Sequence, residues 1–278
     1  MTETFKNNKD AKEGYSSSDA IKTDFIELGR FFYSKLRSPY TIIGLGIILF
    51  AILVSIFPQI LTPYSLSEAI GIDSGQWAPP SFQHPLGQSK FGRDVLAIIV
   101  YGITDALLFS TFSVLLGFVG VLIISIPVSL LNRRLKFSTE IVLIPLMTIP
   151  LVILSVFGFF IFNSIYFAPL FYGIYFIPII VYFIGREQFT VYNIGKTLIS
   201  YIPLLMGYTV LMYTFMGFLG FASNTIQIGN EIIYGHTNLS GAPWASLFPS
   251  LAVFVFVSGF FLLYIGLQKS PDNLLDLN

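Results

Sequence analysis

Long uncharged apolar runs limit what this chain can fold into more than any other feature. Thr41 to Leu61 and Leu107 to Leu131 contain no charged residue. Runs of ~18 or more such residues read as membrane spans. Similar runs occur at Ile141 to Ile161, Leu170 to Ile184, Leu198 to Phe221 and Ala245 to Leu267. Charged residues make up 11% of the chain, against about 25% in an ordinary soluble domain, so water is not the solvent for most of its surface. The expectation is an all-α polytopic membrane protein with six transmembrane helices in one membrane domain, residues 41–268.

The basic residues orient the spans. Of the fifteen Lys and Arg, only Lys90 and Arg93 fall in segments that lie outside when the N-terminus is inside. The positive-inside rule then places both termini in the cytoplasm of a multi-pass cell-membrane protein. Residues 1–20 are polar and read as a disordered cytosolic tail, without the features of a signal peptide. In residues 21–40, Ile21, Phe25, Leu28, Phe32 and Leu36 share one helical stripe. This predicts an amphipathic helix in the membrane interface, or one packed on a partner. Residues 62–98 and 222–244 are the large external segments, and residues 269–278 form a second cytosolic tail. After the polar stretch Thr62 to Asp94, Val95 to Ala106 is mixed in character and reads as running along the far interface before span two begins at Leu107.

Several function classes are excluded or disfavoured. Net charge is zero, which gives no ground for a nucleic-acid partner. With no cysteine, thiolate metal sites and thiol nucleophiles are ruled out. No ionisable residue falls near the middle of an expected span, since Asp105 belongs to the interfacial stretch. A secondary transporter usually needs such a group, so driving energy is expected from a partner. The chain itself contains no Walker motif.

The most distinctive stretch runs from Pro79 to Leu96. Its Gly87 to Asp94 segment has part of the spacing of a phosphate-binding loop. That loop needs Lys and then Ser or Thr after its second Gly, whereas Arg93 and Asp94 stand there. The segment also faces outside, away from ATP, so the phosphate reading is rejected. His84 has no second His or Cys nearby and reads as structural, not as a metal ligand. Asp94 sits where a carboxylate caps the following helix.

Residues in this stretch carry a resemblance. Pro79-Pro80-Ser81, His84-Pro85-Leu86-Gly87, then Gly92-Arg93-Asp94-Val95-Leu96 and Tyr101-Gly102, following a first span, resemble permeases of the dipeptide/oligopeptide class of ABC importers, in particular the C-type subunit. Phe218-Leu219-Gly220-Phe221, Gly241-Ala242-Pro243-Trp244 and Leu247-Phe248-Pro249 resemble the family's C-terminal segments, the first only partly. The resemblance covers roughly residues 41–160 and 216–272. It implies the type I ABC importer permease fold and a non-enzymatic subunit with no cofactor of its own. The implied partners are a second homologous permease, two cytosolic ATPases that hold ATP and Mg, an external substrate-binding protein and the lipid bilayer. His84, Pro85, Gly87, Gly92, Arg93 and Asp94 would then form an external structural motif. Implied substrates are di- and oligopeptides or similar small solutes. A secondary transporter and a non-transporting membrane assembly subunit are the alternatives.

Two further segments bear on such a role. The family's cytosolic coupling loop carries Glu-Ala-Ala, then Gly, then Leu-Pro. Residues 185–203 retain only an echo of it, in Gly195 and Ile202-Pro203, and are shorter than the family pattern. Arg186, Glu187, Tyr192, Gly195 and Pro203 are the candidates for ATPase coupling. The loop either couples weakly, with the partner permease carrying more of the work, or keeps a sufficient short helix at Gln188–Gly195. The external segment Thr225 to Pro243 holds an expected interfacial helix at Ile226–Tyr234. Its Glu231, Tyr234 and His236 are candidate contacts for a binding protein, against a bland reading as a solvated loop.

Overall fold

The computed structural model describes residues 17–71, 75–130, 149–162, 167–185, 191–221 and 226–268. Among them are nine α-helices: α1 Ser17–Lys35, α2 Pro39–Ile56, α3 Leu66–Ile70, α4 Val95–Leu130, α5 Leu151–Phe162, α6 Ala168–Gly185, α7 Val191–Phe218, α8 Ile228–His236 and α9 Trp244–Gln268. No strand occurs among the described residues, apart from one isolated antiparallel bridge between Gln88 and Asp94. Expected spans one, two, five and six coincide with helices long and apolar enough to cross a membrane, at Pro39–Ile56, Val95–Val121, Tyr192–Phe218 and Trp244–Gln268. Shorter apolar helices, α5 and α6, stand where spans three and four are expected. The first part of span three, residues 141–148, lies outside the described residues.

Local chemistry sets the ends of these helices. Pro39 opens α2, where its missing N–H is no loss. Pro58 closes it. The residue before a proline is pushed out of the helical region, and Phe57 sits at φ −124°, ψ 67°. The chain then makes a single 3₁₀ turn, Pro58–Ile60. Span one is therefore shorter than the apolar run Thr41 to Leu61.

The second helix departs further from the sequence expectation. α4 is one continuous helix from Val95, with no break before Leu107. Val95, Ala97, Ile98 and Val100 are all nearly inaccessible, so the first turns of α4 are packed inside the protein. Tyr101 donates through its phenol to the Tyr64 carbonyl at 2.9 Å. Of the polar residues that suggested an interface, Tyr101 thus bonds to the segment just before α3. At 36 residues α4 is about 54 Å long, well beyond a hydrocarbon core of ~30 Å.

The helices pack through small residues. α9 lies between α2 and α7, and α4 packs along α6. A Cβ on Gly44 of α2 would come within 2.5 Å of the Leu263 backbone of α9. Membrane helices have little hydrophobic drive to associate with one another, and close backbone approach supplies dispersion instead. The shared core gathers Phe109 of α4, Tyr172 and Phe176 of α6, Tyr213 and Met216 of α7 and Phe260 of α9. The outward faces are also apolar. Ile42, Leu49 and Phe50 on α2 and Leu108, Phe112 and Val119 on α4 are all exposed, a surface suited to lipid or to another membrane subunit and not to water.

α1 lies against the N-terminal end of α7. Asp24 accepts the Tyr192 N–H at 3.4 Å, and Leu28 fills the space beside Gly195. Phe25, Ile26 and Tyr33 remain exposed. Lys35 is buried against the Phe31 ring, 5.4 Å from its centroid. Burial, together with the nearby charge of Lys196, lowers its pKa.

Candidate functional site

The stretch from Gly75 to Asp94 folds into a compact cap at one end of the bundle. Gly87 has φ +77°, a region unfavourable to side chains, and a Cβ there would meet the Trp244 indole at 2.6 Å. Trp244 donates its indole N–H to the Gln88 carbonyl at 3.2 Å. Gln88 donates its side-chain amide to the Gly92 carbonyl at 2.7 Å, closing the turn that carries Lys90 and Phe91. The two signature blocks, 156 residues apart, thus meet at Gly87, Gln88 and Trp244.

Asp94 divides its carboxylate between two tasks. Oδ1 accepts the Ala97 N–H at 2.7 Å, capping α4. Oδ2 lies 3.1 Å from His84 Nδ1. The His84 ring stacks on Tyr64, with centroids 5.4 Å apart and planes at 9°. Pro85 follows it on the exposed rim of the cap. One carboxylate and one ring do not make a metal site, and no group of three potential ligands occurs among the described residues.

Arg93 ties the cap to α8. Its guanidinium donates to Glu231 Oε1 at 2.8 Å and to the Gly71 carbonyl at 3.3 Å, and it lies over the Phe91 ring at 4.8 Å. The Glu231 side chain is only 4% exposed, against 21% for Arg93. Burial pushes the Glu231 pKa up, and the Arg93 charge opposes that shift only in part. Lys90 stands over both Phe91 and Tyr234, 5.6 and 5.2 Å from their centroids. The three contact candidates on α8 therefore differ in where they face. Glu231 faces inward to Arg93, Tyr234 is half-buried beside Lys90, and His236 is exposed.

The coupling candidates lie at the other end of the bundle. Arg186 and Glu187 are outside the described residues. Tyr192, Gly195 and Pro203 belong to α7, which is already helical from Val191. The expected loop 185–203 is thus largely helix, and α1 covers part of it through Asp24 and Leu28.

One residue that sequence reasoning set aside gains weight. Asp105 lies on α4 within the 27-residue stretch Val95–Val121, which is long and apolar enough to cross a membrane. Its carboxylate accepts a hydrogen bond from the Tyr213 phenol of α7. The two line a cavity of about 420 Å³ with Leu108, Phe109, Phe112, Leu116, Phe167, Pro169 and Leu170. The signal was present in the uninterrupted helical run from Val95 through Leu116, which contains no proline.

Among the described residues, nine helices, several with apolar outer faces, and no strand define an all-helical chain of the polytopic membrane class. Its relatives sharpen that class. The chain is similar to the dipeptide transport system permease protein DppC of Alkalihalophilus pseudofirmus, with 25% identity over 275 residues, 85% of this chain and 86% of that protein. Segments of 99 residues, 36% of this chain and 31% of the relative, are 33% identical to the glutathione transport system permease protein GsiD of Salmonella typhimurium and of Salmonella typhi. No family model matches the chain.

Proposed function

We propose that this chain is the membrane-spanning permease subunit of an ATP-driven importer and forms half of a translocation pathway for di- or oligopeptides or similar small solutes. The observation that carries this reading is the similarity to a dipeptide permease over 85% of the chain. The chain performs no bond chemistry of its own. ATP and Mg belong to two cytosolic ATPase subunits, a second permease completes the pathway, and an external binding protein delivers the solute. Substrate passes between the two permeases as ATP binding shifts the population between inward- and outward-facing states.

Both termini are cytoplasmic in this arrangement, and the cap is external. The natural absence of cysteine makes that testable. Phe82, fully exposed on the cap, and Glu27, exposed on α1, are each replaced by Cys in the intact chain. A membrane-impermeant maleimide added to whole cells labels Phe82→Cys and spares Glu27→Cys. The reverse pattern overturns the orientation. Function is tested by purifying the chain with its co-expressed neighbours and measuring ATP-dependent uptake of a labelled peptide into proteoliposomes. Failure to recover an ATPase with the chain sinks the importer reading.

Asp105 is the one observation that favours a secondary transporter, because it puts an ionisable group in a span. That reading predicts solute uptake by the chain alone, driven by an ion gradient and indifferent to ATP.

A further inference from the structure

We propose that Asp105 and Tyr213 form an ammonium-binding subsite at the outer mouth of the translocation pathway, which takes the free amino terminus of a peptide or another primary ammonium. The inference rests on the permease reading above and assigns a substrate-facing pair within it.

Asp105 presents an energetic conflict. A carboxylate in a membrane-spanning helix is expensive unless it is paired or faces a hydrated cavity. Among the described residues no basic side chain forms an ion pair with Asp105, and its hydrogen-bond partner is the neutral Tyr213 phenol. That phenol supplies one donor, and a carboxylate has about four acceptor sites. The group therefore keeps capacity for a cation, and it faces a cavity, not a packed core.

The walls suit a cation as well. Asp105 and Tyr213 are the only polar residues in the lining, so the cavity offers no donor cluster for an anion. Phe109, Phe112 and Phe167 also line the space, and aromatic rings attract a positive charge held over them. Tyr213 is held in place, because its ring stacks on Phe109 with centroids 4.1 Å apart and planes at 29°. Phe109 in turn meets Tyr172 edge-on at 5.4 Å. The acceptor is thus pre-positioned. A volume of about 420 Å³ lies within the usual range for small-ligand sites and accommodates an amino terminus with its first side chain.

The site's position fits delivery from outside. Asp105 is one helical turn beyond Tyr101, which bonds to the cap through the Tyr64 carbonyl. Phe167, Pro169 and Leu170 come from the start of α6, and Tyr213 from the last turns of α7. Asp105 also begins a stripe of α4 that continues through exposed Leu108, Phe112 and Leu116. An ionisable group on that stripe directs this face toward the pathway and not toward lipid.

The test uses the purified full-length chain in lipid nanodiscs, with two radiolabelled probes: phenylalaninamide, which carries a free ammonium, and its N-acetyl twin, which does not. The wild-type chain binds the amine in preference to the acetylated twin. Asp105→Asn keeps the size and the Tyr213 contact, yet weakens amine binding about tenfold or more, the usual effect of a lost charged hydrogen bond. It leaves the acetylated twin unchanged. Phe112→Ala, on the exposed wall and clear of the Asp105–Tyr213 bond, also weakens the amine selectively. The proposal is overturned if the wild type does not prefer the amine, if both variants bind it as the wild type does, or if both probes weaken together. Uptake by the assembled transporter separates this from the parent reading. A wild-type complex that moves no peptide refutes the importer role, whereas one that moves peptide with unchanged amine preference in Asp105→Asn refutes the subsite alone.

Discussion

Removing Arg93 and removing the charge of Glu231 should have very different effects. In Arg93→Met the aliphatic volume is kept and the guanidinium is lost. Glu231, with its side chain 4% exposed, then holds a buried charge without its cation. Breaking a buried pair from one side costs about 3–5 kcal/mol. Arg93 is 21% exposed, so solvent already weakens the pair, and about 2–3 kcal/mol is the appropriate expectation. In Glu231→Gln the buried charge itself disappears. Arg93 keeps the Gly71 carbonyl, the Phe91 face and some solvent. That change should be near neutral. The assay is amide hydrogen exchange across α8, the helix that Glu231 anchors. A loss of about 2–3 kcal/mol accelerates exchange there by roughly 30- to 150-fold in Arg93→Met. Glu231→Gln should change it by only a few-fold, and the double variant should resemble Glu231→Gln. Equal acceleration in the two single variants would refute the asymmetry and the buried-charge reasoning with it.

Further outcomes follow from the same geometry. The folded pKa of Glu231 is raised above its unfolded value, so the folded state holds the proton more tightly. Stability is then greatest below the unfolded carboxylate range and falls as pH rises through the folded pKa. The protection factor in α8, with the intrinsic pH dependence of exchange divided out, should rise on acidification from neutral pH, and Glu231→Gln should abolish that rise. Asp94→Ala removes the cap bond to Ala97 and the partner of His84, and should cost about 1–2 kcal/mol, seen as faster exchange in the first turn of α4 and not in α9. A Cβ at Gly229 would lie 1.9 Å from the Thr214 carbonyl oxygen, so Gly229→Ala should displace α8 from α7. Thermal unfolding of that variant in nanodiscs should begin several degrees lower, and an unchanged transition would show that the contact yields.

What the sequence made legible depended on the range of the chemistry involved. The last span was readable because Ala245 to Leu267 is one uncharged run, and α9 occupies Trp244–Gln268. The cap on α4 is a three-residue relation between Asp94 and Ala97, also within reach of local rules. The contacts at the start of that helix were not legible, because Tyr101, Thr104 and Asp105 look only mixed in character in a linear scan. Their partners are Tyr64, the helix's own Val100 carbonyl and Tyr213, and two of the three lie far away in sequence. Arg93 and Glu231, 138 residues apart, carry no local sign of pairing. The same holds for Asp24 on the Tyr192 amide, 168 residues apart, a contact that sets α1 against α7. Periodicity and composition identify what each segment is made for, whereas the contacts between segments depend on a register that one sequence does not encode locally.

The unbroken length of α4 carries a mechanical consequence. The first 22 residues, Val95 to Leu116, hold one glycine, Gly102, and no proline, so this part, about 33 Å long, has few places to bend. Its near end is clamped by Asp94, Tyr101 and the packing of Gly102 against Ile228. A rigid tilt of this part through about 10° would move its far end by about 6 Å. Gly117, Gly120 and Pro127 lie beyond it, so the rest of α4 has its bending points gathered toward the end away from the cap.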